Sequence, residues 1–202
     1  MIIDTHCHAG KNWFLPIESL EFEMNRAGVD GAVLIQHGGT YDNDYLFKEA
    51  AKRDGRFKVV VMVDPADPDP LGTLENLAEQ GAAGVRIAPD GAFNALPDVT
   101  DIWRKAGSLG LVISSIGDDK RFASDSFKKI IDDCPNTQIV IEHLAGVGIT
   151  DAPYTDYKSA LECAQRPNTT IKVPGLGEIT PRPPVLLPDF RFDNIPPLFE
   201  MA

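Results

Sequence analysis

Short apolar runs alternate with longer amphipathic segments along nearly the whole chain, and this alternation constrains the fold more than any other feature. The apolar runs are rich in valine and isoleucine and predict buried parallel strands. The segments between them carry apolar residues at the i, i+3, i+4 spacing of helices. Parallel strands joined by helices form either a (β/α)₈ barrel or an open doubly wound sheet, so the pattern predicts an α/β protein.

Counting the segments predicts seven strands and six helices. The predicted strands are Ile2–His8, Gly31–His37, Lys58–Val63, Ala83–Ala88, Leu111–Ser115, Gln138–His143 and Thr170–Pro174. The predicted helices are Ile17–Ala27, Tyr45–Arg53, Leu71–Gln80, Val99–Ser108, Ser126–Asp133 and Tyr157–Gln165. Glycines able to end a helix in the left-handed conformation follow several of them, at Gly28, Gly55, Gly81 and the pair Gly107 and Gly110.

The turn after the first strand favours the barrel over the open sheet. A doubly wound sheet usually has a glycine-rich phosphate-binding turn there, whereas this chain has Thr5-His6-Cys7-His8. A complete barrel has eight strands, and the pattern supplies seven. The final segment, Leu198–Ala202, consists of good helix-forming residues after Pro196 and Pro197 and has no signal that ends a helix. We therefore expect one domain over residues 1–202, an incomplete (β/α)₈ barrel truncated at its C-terminus, with Asn194 as the cap of the last helix.

Charge and cysteine content narrow the class of function. The net charge of −11 and the pI near 4.7 disfavour binding to nucleic acid or to anionic lipid. No apolar run approaches the roughly 18 residues of a membrane helix. The three cysteines lack the Cys-x-x-Cys spacing of a zinc knuckle. We expect a cytoplasmic protein that acts on a small molecule.

The four histidines each lie at the carboxyl end of a predicted strand, where barrel enzymes place their active sites. His6 and His8 are two residues apart on an extended strand, so their side chains leave the same face about 7 Å apart and can bind one metal ion. A His-x-His pair at a strand end can also be an incidental polar pair. His37 and His143 end the second and the sixth predicted strands.

Four motifs together resemble the amidohydrolase superfamily. They are Ile3-Asp4-Thr5-His6-Cys7-His8 on the first strand, Gly84-Val85-Arg86-Ile87 on the fourth, Ile141-Glu142-His143-Leu144 on the sixth and Ile171-Lys172-Val173-Pro174-Gly175 on the seventh. The resemblance spans nearly the whole chain. More narrowly, the chain resembles the amidohydrolase-related branch of that superfamily. This branch includes decarboxylases of aromatic and muconate-type acids and lactonases acting on sugar lactones and pyrone dicarboxylates.

The resemblance implies roles for the histidines. His6, His8 and His143 would bind a divalent metal, zinc or manganese, or contact the substrate directly, with His143 close to the substrate carbonyl. Two departures favour a weakly metallated or metal-free hydrolase. The fifth strand carries Ser114 and Ser115 where metal-dependent members carry a histidine, and serine is a poor zinc ligand. The aspartate of the family's eighth strand lies on a strand that this chain lacks.

A hydrolase of this type needs an acid in its pocket, so a replacement for that aspartate is required. Glu142 alternates with His143 and is expected to point towards the helices when His143 points inwards. Glu178 follows a glycine-rich turn after the seventh strand, and a loop of this kind can fold over the barrel mouth. Glu178 is therefore the candidate catalytic acid beside His143, although a solvated loop acid is the alternative.

Three further residues are candidates for substrate binding. Arg86, at the inner end of the fourth strand, is suited to gripping a carboxylate and implies an anionic substrate. The alternative is an ion pair with an acid such as Asp4 or Asp64, and Lys172 has the same two interpretations. His37 can line the pocket together with Trp13 and Phe14, or pack structurally.

The sequence as a whole predicts a metal-assisted or metal-optional hydrolase of C–O or C–N bonds in a small, carboxylated substrate, with a lactone favoured. A non-oxidative decarboxylase of the same branch and a non-catalytic fragment are the alternatives. Because the first and seventh strands would keep unpaired edges, association into homo-oligomers is also expected.

Overall fold

The structure is a computed structural model that describes residues 1–181 and 196–202, and within them seven parallel strands pair in sequence order from β1 to β7. The strands are β1 Ile3–Cys7, β2 Gly31–Ile35, β3 Phe57–Val61, β4 Ala82–Ile87, β5 Val112–Ser115, β6 Ile139–Ile141 and β7 Thr169–Ile171. The helices are α1 Ile17–Ala27, α2 Asp44–Ala51, α3 Pro70–Glu79, α4 Thr100–Ser108, α5 Asp119–Ala123, α6 Asp125–Asp133, α7 His143–Gly146, α8 Thr155–Leu161 and α9 Leu198–Met201. Two 3₁₀ turns lie at Glu162–Gln165 and Leu176–Glu178.

The sheet curls around one interior cavity of about 530 Å³, to which all seven strands contribute. Val33, Val60, Val112 and Val140 face this cavity, because alternate residues of a strand point to the same side. The intervening residues, among them Leu34, Val59, Val61, Ile113 and Ile141, are buried in the hydrophobic core under the helices. A sheet with these two faces is the arrangement of a (β/α)₈ barrel, seven strands of which are present in the described residues.

The predicted strands and helices are confirmed to within a few residues. The seventh strand differs most, because it ends at Ile171 and not at Pro174. The end of the sixth strand has an identifiable cause. This strand was predicted to reach His143 but ends at Ile141, because His143, Leu144 and Ala145 have positive φ values of 54°, 49° and 57°. These residues form the left-handed turn α7, which no local signal predicted. The predicted helix Tyr157–Gln165 is α8 followed by a 3₁₀ turn.

The C-terminal segment ends in one helical turn, α9. Its Leu198 is fully buried, and the Tyr157 hydroxyl donates a hydrogen bond to the Leu198 carbonyl at 2.9 Å. Asn194, the predicted cap, lies outside the described residues. Among the helices that the structure describes, none is long and apolar enough to cross a membrane.

Candidate active site at the carboxyl ends of the strands

Four buried polar side chains close the interior cavity at the carboxyl ends of β4 to β7. Arg86, Ser114, Glu142 and Lys172 each lie two residues beyond an inward position on their own strand, at Gly84, Val112, Val140 and Thr170 respectively. All four are at most 9% exposed. Period-2 alternation turns all four side chains inwards, and the stagger between neighbouring strands brings Glu142 and Lys172 level with Arg86 and Ser114 in one layer above the apolar cavity.

Glu142 is the centre of this layer. Arg86 grips its carboxylate in two-pronged fashion, with Nη2 donating to Oε2 at 2.6 Å and Nε donating to Oε1 at 3.0 Å. The Ser114 hydroxyl donates to Oε1 at 2.6 Å. Burial by itself would raise the pKa of Glu142, but the hydrogen bonds and charge of Arg86 outweigh it and lower that pKa to about 2. Glu142 is thus an ionised carboxylate at the floor of the site.

The position of Glu142 corrects the expectation that it points towards the helices. The alternation along β6 runs through Val140, which faces the cavity, and therefore continues inwards to Glu142. By the same alternation His143 would point outwards with Ile141. The positive φ of His143 turns the chain at that residue and brings its side chain back over the barrel mouth.

The structure brings together the three histidines predicted for the site. The rings of His6 and His143 have centroids 4.4 Å apart, and those of His6 and His8 are 4.8 Å apart. The Nε2 atoms of His6 and His8 lie 3.1 Å from each other. The Nδ1 atom of His8 lies 2.7 Å from the Ile35 carbonyl oxygen on the neighbouring strand.

Burial makes these imidazoles neutral at neutral pH. It lowers the pKa of His8 and of His143, and it lowers the pKa of His6 to about 3, with the nearby Lys172 charge adding to the effect on His6. The contacts of His6 and His143 with Glu142, at 3.8 and 3.7 Å, are therefore not ion pairs at neutral pH. Neutral imidazoles can accept protons from a reacting group.

A pocket of about 420 Å³ opens above the histidines and is lined by all three of them, with Asp4 and Glu178 at its rim. Glu178 lies in the turn after β7, and its Oε2 atom is 3.7 Å from Nδ1 of His143. That Nδ1 atom is buried and has no hydrogen-bond partner within the part of the chain that the structure describes. An unpaired buried nitrogen in a residue that lines a pocket calls for a partner, such as a ligand or a water molecule.

The predicted substrate-binding residues lie in different surroundings. Arg86 contacts Glu142 and the Gln36 carbonyl beneath the histidines, and it pairs with neither Asp4 nor Asp64, the acids considered from the sequence. Lys172 lies under His6, with Nζ 3.0 Å from the His6 Nδ1 atom.

His37 lies at the edge of the mouth, behind an aromatic wall. Its ring centroid is 5.1 Å from that of Phe14, and Phe14 stacks on His8 at 4.4 Å. Its Nε2 atom is 3.3 Å from the Thr40 hydroxyl. Trp13, the other aromatic residue proposed for the wall, is 82% exposed.

Sequence reasoning missed Glu142, Ser114 and Asp4 as parts of the site. Glu142 and Ser114 could have been found by carrying the inward alternation of β5 and β6 to the end of each strand. Asp4 had a weaker signal, because β1 contains a register irregularity between Asp4 and Cys7 that interrupts strict alternation.

One group of side chains has the geometry to hold a metal ion. The donor atoms of His6, Glu142 and His143 lie within 4.8 Å of one another. Most of these donors are already engaged, because Glu142 accepts hydrogen bonds from Arg86 and Ser114 while His6 contacts Lys172 and His8. Within this group only the His143 imidazole makes no hydrogen bond to the described residues. A divalent metal would have to displace the hydrogen bonds of His6 and Glu142, so the folded site as it stands does not fit one.

Solved structures with the same fold include three informative neighbours. A probable 2-pyrone-4,6-dicarboxylic acid hydrolase from Acinetobacter baumannii, with citric acid bound, is 21% identical, with a TM-score of 0.73 over 89% of this chain and 73% of that chain. An amidohydrolase from Burkholderia multivorans with bound zinc is 18% identical, with a TM-score of 0.70 over 89% and 72%. A 2,6-dihydroxybenzoate decarboxylase from Rhizobium is 14% identical, with a TM-score of 0.55 over 85% and 86%.

At these identities the likeness shows the fold, an incomplete (β/α)₈ barrel. No curated protein sequence matches the chain. The family assignment rests on the sequence profile of the amidohydrolase family, which matches residues 3–199 and so includes every residue of the histidine cluster and the polar layer. The chain therefore belongs to the amidohydrolase family.

Proposed function

We propose that the chain hydrolyses a C–O bond in a small, carboxylated substrate, with a lactone as the favoured substrate. The observation that carries the proposal is the buried, unpartnered Nδ1 atom of a neutral, partly exposed His143 that lines the mouth pocket beside the Glu178 carboxylate. A hydrolase needs a base of this kind next to the space where water and substrate meet.

In the proposed reaction His143 is the general base. Glu142 near Nε2 and Glu178 near Nδ1 are both 3.7 Å from the ring, but Glu142 is buried and Glu178 is half-exposed. The buried charge acts more strongly and favours the tautomer with the proton on Nε2, which leaves the Nδ1 lone pair free. Nδ1 takes a proton from water as the water oxygen attacks the lactone carbonyl, and the proton passes to the alkoxide when the ring C–O bond breaks. Glu142 and Glu178 stabilise the imidazolium from both sides, as the acid of a catalytic triad does.

The test is a pair of variants assayed by proton release on a panel of sugar lactones and 2-pyrone-4,6-dicarboxylate. His143→Asn should lower kcat by about 10²–10⁴-fold, the usual contribution of a general base. Glu178→Gln should lower kcat by less, since it acts through His143. Asp151→Asn, an exposed acid in a nearby loop, is the matched control and should have no effect.

Arg86 distinguishes two versions of the proposal. A direct grip on the substrate carboxylate predicts that Arg86→Ala raises KM more than it lowers kcat. Positioning of Glu142, to which Arg86 is bound, predicts the opposite split, a lower kcat with a smaller change of KM. The contacts favour the positioning role. Release of CO₂ from an aromatic acid without any lactone hydrolysis would replace the proposal by decarboxylation.

A further inference from the structure

Lys172 makes three contacts that define its charge. Its Nζ atom lies 3.0 Å from Nδ1 of His6 and 3.4 Å from both the Thr5 carbonyl oxygen and the Ser114 hydroxyl oxygen. The carbonyl can only accept, and the Ser114 hydroxyl has given its hydrogen to Glu142. These two acceptors take two N–H groups, and an ammonium ion has a third that can point to Nδ1 of His6. Burial lowers the pKa of Lys172, and the nearby Glu142 charge opposes this and favours the ammonium.

The ammonium fixes the proton of the neighbouring histidine. Because Nδ1 of His6 accepts from Lys172, a neutral His6 carries its hydrogen on Nε2. That Nε2–H donates to Nε2 of His8 at 3.1 Å, and His8 must then carry its own hydrogen on Nδ1. The Nδ1–H of His8 donates to the Ile35 carbonyl at 2.7 Å, so each donor in this series of hydrogen bonds, from Lys172 to Ile35, has its acceptor.

This series of hydrogen bonds is incompatible with a metal ion bound to His6 and His8. An imidazole binds a metal through a nitrogen without hydrogen, and the Nε2 atoms of both His6 and His8 are occupied by their mutual hydrogen bond. To release them, the His6 hydrogen would have to move to Nδ1, where it would face the Lys172 ammonium donor to donor at 3.0 Å. The Lys172 and Arg86 charges also oppose a third cation next to the buried Glu142 carboxylate.

We propose that the Lys172 ammonium takes the place of a divalent cation in this site and keeps metal off the His6–His8 pair. Its removal should unmask the site, because His6 is then free to carry its hydrogen on Nδ1 and to present Nε2 beside that of His8. This proposal concerns metal affinity and holds whatever reaction the site performs.

The experiment is a zinc titration of wild type and Lys172→Met, followed by calorimetry and by competition with a chromophoric chelator. Lys172→Met should bind zinc at least tenfold more tightly, the scale on which groups behind a ligand tune metal affinity. Lys158→Met removes an exposed lysine and should match wild type. Adding His6→Asn to Lys172→Met should abolish the gain. Equal zinc affinity of wild type and Lys172→Met, or a gain that survives His6→Asn, would overturn the proposal.

A second measurement on the unmodified protein keeps the proposal testable if the Lys172 variants fail to fold. ¹⁵N NMR of the imidazoles reports which nitrogen carries the hydrogen. His6 should be the Nε2–H tautomer and His8 the Nδ1–H tautomer, and zinc at equimolar concentration should leave both spectra unchanged. A His6 hydrogen on Nδ1, or a wild-type spectrum that shifts stoichiometrically with zinc, contradicts the inference.

Discussion

Arg86 and Glu142 form a buried ion pair in the site. Both side chains are at most 6% exposed, and the residues are 56 positions apart in the chain. A buried ion pair contributes little net stability over a well-packed apolar pair, but the loss of one partner leaves a buried charge without compensation. The pair therefore ties the geometry of Glu142, and through it the surroundings of His143, to the fold of β4.

Replacing Arg86 by methionine should lower the free energy of unfolding by about 3–5 kcal/mol, because Glu142 loses its partner. Urea denaturation measures the change. The double variant Arg86→Met with Glu142→Met should be less destabilised than the sum of the two single variants. Arg104→Met is the control, since Arg104 pairs with Asp98 and Asp101 at 46% exposure and should cost about 1 kcal/mol or less. Equal losses at Arg86 and Arg104 would contradict the assignment.

Acid should destabilise the folded protein through His6 and Glu142. The pKa of His6 is lowered to about 3 in the folded protein from 6.5 in the unfolded chain, and that of Glu142 is lowered to about 2 from 4.5. The unfolded chain therefore binds more protons as the pH falls below 6.5, so stability is full above that value and declines towards pH 2. His6→Asn should reduce the loss of stability between pH 6.5 and 3. Urea midpoints measured across this range test the prediction, which fails if the two proteins decline in parallel.

The turn α7 is the element that gives the site its shape. Leu144 and Ala145 are fully buried with positive φ, a conformation that costs roughly 1–2 kcal/mol for each residue with a Cβ. Backbone strain of this kind persists when the surrounding structure determines it, and it concentrates at functional sites. Here the turn reverses the direction of the side chain at His143 and places it beside Glu142.

Two glycines in and after this turn allow the cost of a steric overlap to be measured separately from the cost of a left-handed backbone conformation. Gly146 and Gly148 have φ values of 60° and 62°, but a Cβ at Gly146 would overlap the Gly117 carbonyl, whereas one at Gly148 would meet only ordinary contacts. Gly148→Ala should cost about 1–2 kcal/mol, the left-handed penalty alone. Gly146→Ala should cost distinctly more, since the β5–α5 connection must move. Thermal unfolding of the two variants measures the difference, and equal costs would show that the close contact with Gly117 is unimportant.

At the scale of the whole molecule, β1 and β7 are the edges of the seven-stranded sheet formed by the described residues. Ile3 on β1 is an exposed apolar residue at 46%, and Val173, two residues after the end of β7, is 59% exposed. Exposed apolar edges of this kind pair with other chains. The net charge of −11 opposes association of identical copies at low ionic strength and does so less as salt screens it.

The 202-residue chain should therefore associate in a concentration-dependent way that strengthens with salt. Ile3→Lys should weaken the association, because a lysine on an edge strand blocks pairing. Ile149→Lys changes an exposed apolar residue outside both strands and should leave association intact. Sedimentation velocity across a concentration series is the measurement. A monomer at all concentrations and salt levels would contradict the prediction.

Local pattern was enough to predict the seven strands, the six principal helices, the positions of His6 and His8 at a strand end and that of Glu178 in the loop after the seventh strand. Each of these depends on residues within a few positions of one another, through side-chain alternation, helical spacing or the sequence of a turn. The relation between His6 and His8 was correct for the same reason, because both lie on one short strand.

The floor of the site was decided by tertiary structure alone. The Lys172–His6 contact joins residues 166 positions apart, and the Arg86–Glu142 pair depends on the stagger between β4 and the end of β6. The direction of the Glu142 side chain was predicted wrongly, as outward, because strict alternation was assumed through His143, where the backbone turns left-handed. Local periodicity determines which face of a strand a residue occupies, whereas packing of the completed barrel determines where the strand stops and which distant partner each buried charge meets.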